Sequence, residues 1–277
     1  MTDVIIHVGL RKTATTWLQN EFFPKIENIH YLAKTELEYP KWLIKWHYLD
    51  DYAFKQKSNK IRKEVESLLV ESKPNVISSE AFTNTSVIYS QANRIKDLFP
   101  NAKIIITLRD PVDVIKSHYK LDIQDGINFL ELENYLDWNR TPFDLFKRKS
   151  IYLPDFFYDE NIDYYQKLFG KNNVLILKYE DMIDMKDKFF KALENFLDIK
   201  ITLNEFNLQT KRNESIKTNL ADLKYKNFLN FISNNMDIPL EKININRNDL
   251  KFTDVIMSEE LEIKLKEYFR GKCFGYY

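Results

Sequence analysis

Short apolar runs alternate with amphipathic stretches along most of this chain. Val4-Ile5-Ile6-His7-Val8 and Ala102-Lys103-Ile104-Ile105-Ile106-Thr107-Leu108 are rich in β-branched residues and close to continuous, the pattern of strands covered on both faces. Asn75–Ser79 and the first half of Asn173–Met182 read the same way, and Ile29–Leu32 is a shorter apolar piece. Between them lie helical patterns over about 15–23, 58–72 and 89–98, and another opens at Pro111. In the 89–98 segment the spacing turns Arg94, Lys96 and Asp97 outward and Ile95, Leu98 and Phe99 inward. Strands separated by helices predict an α/β fold with a central parallel β-sheet flanked by helices. Ligands of such sheets sit outside the carboxyl ends of the strands, which places Arg11–Thr16, Ser79-Glu80 and Arg109 on one rim.

The first of those rim segments carries the most chemistry. Gly9-Leu10-Arg11-Lys12-Thr13-Ala14-Thr15-Thr16-Trp17 joins the first strand to a helix start. First-turn amides lack intrahelical acceptors, and the dipole there favours negative charge. Two cations and three threonine hydroxyls add to those donors, so the segment is suited to a phosphate or sulfate. A Walker loop places its lysine six residues after the first glycine. Lys12 follows Gly9 by only three.

That spacing instead resembles the sulfotransferase loop G-x-x-K-[ST]-G-T-[ST], which in that family grips the 5′-phosphosulfate of 3′-phosphoadenosine 5′-phosphosulfate (PAPS). Ala14 stands where the family has glycine and is expected inside the first helical turn. A second segment, Arg109-Asp110-Pro111 followed by Ser117 and Tyr119, is similar to the family's R-[ND]-P-x-x-x-x-x-S-x-[YF]. The resemblance implies that Arg109 and Ser117 hold the nucleotide's 3′-phosphate. A guanidinium fork suits that task. Lys178-Tyr179-Glu180-Asp181-Met182 looks like another family segment, whose tyrosine lies near the adenine. Thr210–Ser215, with Lys211 and Arg212, resembles in place the late basic loop that covers the nucleotide.

The resemblance spans about residues 3–215 and points to bacterial carbohydrate-type enzymes. It implies a P-loop-like fold in a single domain over 1–277, with a nucleotide-binding core to about 215 and a helical part over about 216–277. The implied reaction moves a sulfuryl group from PAPS to a hydroxyl, or less readily an amine, of a carbohydrate or other small acceptor, releasing 3′-phosphoadenosine 5′-phosphate (PAP). Arg11, Lys12, Thr13, Ala14, Thr15, Thr16 and Trp17 are the expected donor loop, with Arg109, Ser117, Tyr179, Lys211 and Arg212 around the nucleotide. Lys12 matches the catalytic lysine. Glu80, directly after the 75–79 strand, is the chosen base. Glu36, His47 and His118 remain alternatives. A P-loop kinase or nucleotide hydrolase, or a non-catalytic PAP-binding protein, stands as the rival reading.

Composition narrows the partners. Lys plus Arg and Asp plus Glu are 41 each, so no global field draws the chain to nucleic acid. The single cysteine, Cys273, excludes an internal disulfide and suits a reducing compartment. Val4–Val8 is far too short to span a bilayer, and no leader pattern precedes it, so a cytoplasmic enzyme is expected. No Asp, Glu or His cluster has metal-ligand spacing, and no metal is expected. The acceptor site is expected among aromatic-rich stretches at 36–54 and 127–165, with Arg140 and Lys147–Lys149 facing an anionic acceptor or solvent. Phe269–Tyr277 is expected to dock on the domain.

Overall fold

A computed structural model describes residues 3–10, 12–32, 41–79, 82, 88–138, 151–201 and 219–276. Five strands, β1 (Val4–His7), β2 (His30–Leu32), β3 (Asn75–Ser78), β4 (Lys103–Leu108) and β5 (Val174–Lys178), form one parallel sheet in the order β2-β3-β1-β4-β5. β1 lies between β3 and β4, with Ile6 opposite Ile77 on one side and Ile104 on the other. The loops leaving β1 and β4 therefore emerge side by side at the carboxyl edge.

The helices, in chain order, are α1 (Thr15–Trp17), α2 (Lys41–Tyr48), α3 (Asp51–Glu66), α4 (Ile88–Leu98), α5 (Pro111–Gln124), α6 (Leu132–Tyr135), α7 (Tyr158–Phe169), α8 (Tyr179–Asp184), α9 (Lys186–Leu197), α10 (Leu220–Met236) and α11 (Glu259–Phe269). The chain packs as two compact units. Met1–Arg109 with Tyr158–Arg212 holds the sheet, and Asp110–Phe157 with Asn213–Tyr277 forms the second unit. In the first, Ile5, Val76, Ile105 and Leu177 meet Leu18, Phe22, Phe23, Phe189, Phe190 and Leu193 in a buried cluster. On the other layer α7 packs on β4 and β5, α4 on α7, and α3 on α4. Both faces of the parallel sheet are thus covered.

The second unit is helical, with a short parallel pairing of Leu136–Asp137 and Ile151–Tyr152. Asp110 caps α5 through the Val112 amide at 2.8 Å, with Pro111 supplying the helical φ of the first turn. Lys116 joins Glu262 at 2.7 Å and, with Lys266, holds that carboxyl down to about 2. Lys224 is fully buried, bonded to Glu131 at 2.7 Å and to the Thr253 carbonyl at 2.8 Å. The C-terminal stretch is docked on this unit. Phe269 is buried, and Cys273 gives its thiol hydrogen to the Phe156 carbonyl at 2.9 Å.

Three expected elements need correction. The helix read over 58–72 runs from Asp51 to Glu66. Asp50 caps it through the Ala53 amide at 2.8 Å, and beyond its end the Asn75 side chain takes both the amide (2.9 Å) and the carbonyl (2.8 Å) of Val70. That clamp closes 70–75 as a turn, so helical propensity there is overridden. The helix read over 15–23 begins at Thr15 but passes into a π-helix at Leu18–Phe22 and a 3₁₀ turn at Phe23–Lys25. Third, Arg94 faces inward. It is only 5% exposed and donates to the carbonyls of Trp46 (2.7 Å) and Leu49 (2.6 Å) and to Asp51 (2.8 Å). Its guanidinium satisfies carbonyls left over where α2 ends, a task that helical periodicity cannot reveal. Replacing it strands those buried acceptors. Arg94→Ala is expected to lower the urea-unfolding free energy by about 3 kcal/mol, and a loss near zero would show that water replaces the fork.

Candidate functional site

The loop after β1 is an extension of the sheet before it becomes a turn. The Val8 amide bonds the Ile105 carbonyl at 2.8 Å and the Leu10 amide bonds that of Thr107 at 3.4 Å, so the chain stays against β4 beyond the last paired strand residue. Gly9 is the point of closest approach. A Cβ there would overlap the Thr15 methyl and come within 2.8 Å of Thr107 Oγ1 and 2.9 Å of His7 Cε1. Only glycine fits.

The turn then passes through two left-handed residues, Lys12 at φ 65° and Ala14 at φ 64°. Ala14 is thus not inside the first turn. It is the N-cap of α1, and it has no side-chain oxygen to accept from the amides that follow. The left-handed conformation costs a residue with a Cβ about 1–2 kcal/mol, which explains the spacing of a glycine at this place in the resembled pattern. The Leu18 amide bonds the Ala14 carbonyl at 3.0 Å and fastens the turn to the helix.

Arg109, the first residue after β4, reaches this loop directly. Its Nη1 donates to the Lys12 carbonyl at 3.3 Å. Its guanidinium lies 4.8 Å from the centre of the Tyr179 ring, and the Tyr158 hydroxyl donates to its carbonyl at 2.9 Å. Lys12, Arg109 and Tyr179, far apart in sequence, are half-buried neighbours at one sheet edge. Thr13 and Thr15 are buried, whereas Thr16 is exposed and Trp17 stacks on Phe22 with ring centres 5.6 Å apart. Ser117 lies half-buried on α5, in the second unit. Arg11, Glu36, Glu80, Lys211 and Arg212 fall outside the described residues.

Beneath the loop lies a polar cluster that the apolar reading of the strands missed. His7 Nδ1 is 2.7 Å from Ser78 Oγ and its Nε2 is 3.3 Å from Thr107 Oγ1. Thr107 Oγ1 is 2.8 Å from Thr13 Oγ1, which donates to the Leu10 carbonyl at 2.6 Å, and Gln19 Nε2 donates to Ser78 Oγ at 3.1 Å. The only sequence signal was a histidine and a threonine within strands otherwise apolar on both faces. A second buried histidine, His47, sits 3.0 Å from Ser79 Oγ through Nε2 and 3.4 Å from Gln91 Oε1 through Nδ1. Burial pushes His7 down to about 3 and His47 to about 4, with the Gln91 bond opposing and the Arg94 charge adding to the His47 shift. Of the aromatic positions considered for an acceptor, Trp46 and Tyr135 are core residues, whereas Tyr48 and Tyr52 are 78% and 76% exposed. Among the described residues no group of three or more His, Cys, Asp or Glu is placed to hold a metal, and no helix is long and apolar enough to cross a membrane.

Comparison with known proteins gives one family. The model of the sulfotransferase domain matches residues 1–260. Among solved structures, a sulfotransferase from Alicyclobacillus acidocaldarius is 18% identical with a TM-score of 0.53, over 84% of this chain and 92% of that one. Mouse sulfotransferase SULT7A1, solved complexed with PAP, is 17% identical with a TM-score of 0.48, over 99% of this chain and 84% of its own. The bacterial structure shows a shared fold. No curated protein matches the chain significantly.

Two outcomes follow from this geometry. Gly9→Ala should destabilise by about 1–3 kcal/mol through overpacking, whereas Ala14→Gly should be neutral or stabilising by up to about 1 kcal/mol as left-handed strain is relieved. Thermal melts of both variants check this, and a comparable loss in Ala14→Gly would contradict the left-handed turn. For the histidines, the native state holds both neutral while an unfolded chain protonates them near pH 6.5. Stability is therefore full above about pH 6.5 and falls as pH drops toward 4, by up to about 1.4 kcal/mol per unit for each. His47→Gln should flatten the slope between about pH 6.5 and 4.5 in urea titrations; an unchanged slope would refute the assignment.

Proposed function

The chain belongs to the sulfotransferase family, and from that premise we propose that it moves a sulfuryl group from PAPS to a hydroxyl, less readily an amine, of a carbohydrate or other small acceptor. The observation carrying this reading is the hydrogen bond from Arg109 to the Lys12 carbonyl, which ties the two segments that resemble the family's 5′- and 3′-phosphate motifs. The reading takes 1–277 as a single catalytic domain and a cytoplasmic enzyme, with no metal in its chemistry.

In this reaction the acceptor oxygen attacks sulfur in line with the departing phosphate oxygen. The new S–O bond forms as the bond to the 5′-phosphate breaks, and PAP leaves with the added charge. The Lys12 ammonium stabilises that charge, and Glu80 takes the acceptor's proton. Thr13 spends its hydroxyl on the Leu10 carbonyl, so its contribution to the donor is its backbone amide; Thr16, being exposed, contributes its hydroxyl. Arg11 and the amides from Ala14 to Trp17 complete the 5′ cradle. Arg109 and Ser117 take the 3′-phosphate, Tyr179 lies by the adenine, and Lys211 and Arg212 close over the nucleotide. The Tyr179 ring beside the Arg109 guanidinium supports this, because the contact restricts where the planar fork can point.

Labelled PAPS incubated with a panel of acceptors in EDTA tests the reading: sulfated product should form, and Lys12→Ala should lower its rate by about 10²–10³. No product from PAPS, together with an ATP-dependent activity on the same panel that collapses in EDTA, would favour phosphoryl chemistry instead. Calorimetry separates the nucleotide contacts. Arg109→Ala should weaken PAP binding by about 10- to 100-fold while adenosine 5′-phosphate, which lacks the 3′-phosphate, changes little. Equal losses for both nucleotides would remove Arg109 from the 3′ site.

A further inference from the structure

The buried polar cluster under the β1 loop has one consistent direction. Gln19, Ser78, His7, Thr107 and Thr13 are all buried, and their contacts form a line that ends on the Leu10 carbonyl. A carbonyl only accepts, so Thr13 spends its one hydroxyl proton on Leu10. Thr107 must then donate to Thr13, and its oxygen is left to accept from His7. The proton of His7 is therefore on Nε2, and Nδ1 accepts from Ser78. Ser78 also accepts from the Gln19 amide nitrogen, which can only donate, an arrangement compatible with the order set from the Leu10 end.

We propose that His7, as the neutral Nε2–H tautomer, is a positioning residue that sets Lys12 through this one-way line. Leu10 and Thr13 are the residues on which the line closes, and they flank Lys12 in the turn. Lys12 holds a left-handed backbone that is unfavourable for a residue with a side chain, so the turn persists only because its surroundings over-determine it. The line supplies that constraint from three strands at once, since His7, Ser78 and Thr107 end β1 and β3 and sit next to last in β4. A second proton on the imidazole would make Nδ1 a donor, reverse the Ser78 bond and turn the Ser78 hydroxyl proton away from His7. Burial holds the group neutral, in keeping with this. The catalytic consequence rests on the sulfuryl-transfer reading; the tautomer and the direction rest on the contacts alone.

Two measurements test it. In protein labelled with ¹⁵N-histidine, long-range ¹H–¹⁵N correlations should give His7 a pyrrole-type Nε2 and a pyridine-type Nδ1, unchanged from about pH 5.5 to 8.5. An Nδ1–H tautomer, or titration within that range, overturns the proposal. Thr107→Val keeps the shape and deletes the link, whereas Thr107→Ser keeps the hydroxyl. Valine should lower kcat for transfer about tenfold with KM for PAPS little changed, and serine should restore most of it. A valine variant with wild-type kcat, or one whose loss serine does not restore, overturns it as well. If the wild-type protein transfers nothing from PAPS, the sulfuryl-transfer reading fails, and the imidazole spectrum still decides the tautomer.

Discussion

Everything at the carboxyl edge of this sheet depends on how closely the chain leaving β1 is pressed against β4. Two backbone hydrogen bonds, from Val8 and Leu10, carry the pairing past the strand, and Gly9 leaves no space between the loop and the side chains of Thr15, Thr107 and His7. A loop held that tightly has few ways to turn into a helix. It takes the left-handed route at Lys12 and Ala14, and the strain of two such residues is offset by the contacts on either side. The result is a lysine whose backbone position is dictated by the sheet rather than by its own preferences.

The same compression brings Arg109 into play. Because β1 and β4 are neighbours in parallel register, the residue that follows β4 emerges beside the residue that follows the β1 turn. The Arg109 guanidinium then bonds the Lys12 carbonyl and lies against Tyr179, which opens the helix after β5. Three strand ends thereby contribute two cations and a ring to a single rim. A charged pair separated by nearly a hundred residues is made local by strand order alone.

Buried polar groups set the precision of the arrangement. Strands covered on both faces are mostly apolar, yet His7 and Thr107 sit among isoleucines with their polar side-chain atoms hydrogen-bonded. Such a line is more demanding than hydrophobic packing, since a single reversed donor breaks it. Gln19 reaches it from a π-helical segment, a geometry that recurs where a side chain must be re-aimed toward a site.

The alternation of apolar runs, the Gly9–Trp17 segment and the Arg109-Asp110-Pro111 turn were legible without coordinates, because strand periodicity, glycine spacing and proline act over a few residues. Those local rules determined the parallel sheet, its strands and the identity of the rim. They misjudged Arg94, whose surroundings are the carbonyls at the end of another helix, and Ala14, whose φ is set by the loop's attachment to β4. They also passed over His7, Ser78, Thr107 and Gln19, which look unremarkable until three strands and a helix align their donors and acceptors. Residue order thus specified which elements form and what chemistry they carry. The bond from Arg109 to the Lys12 carbonyl, and the buried line beneath it, were decided by tertiary packing, because hydrogen-bond direction and left-handed strain depend on neighbours that the linear chain keeps far apart.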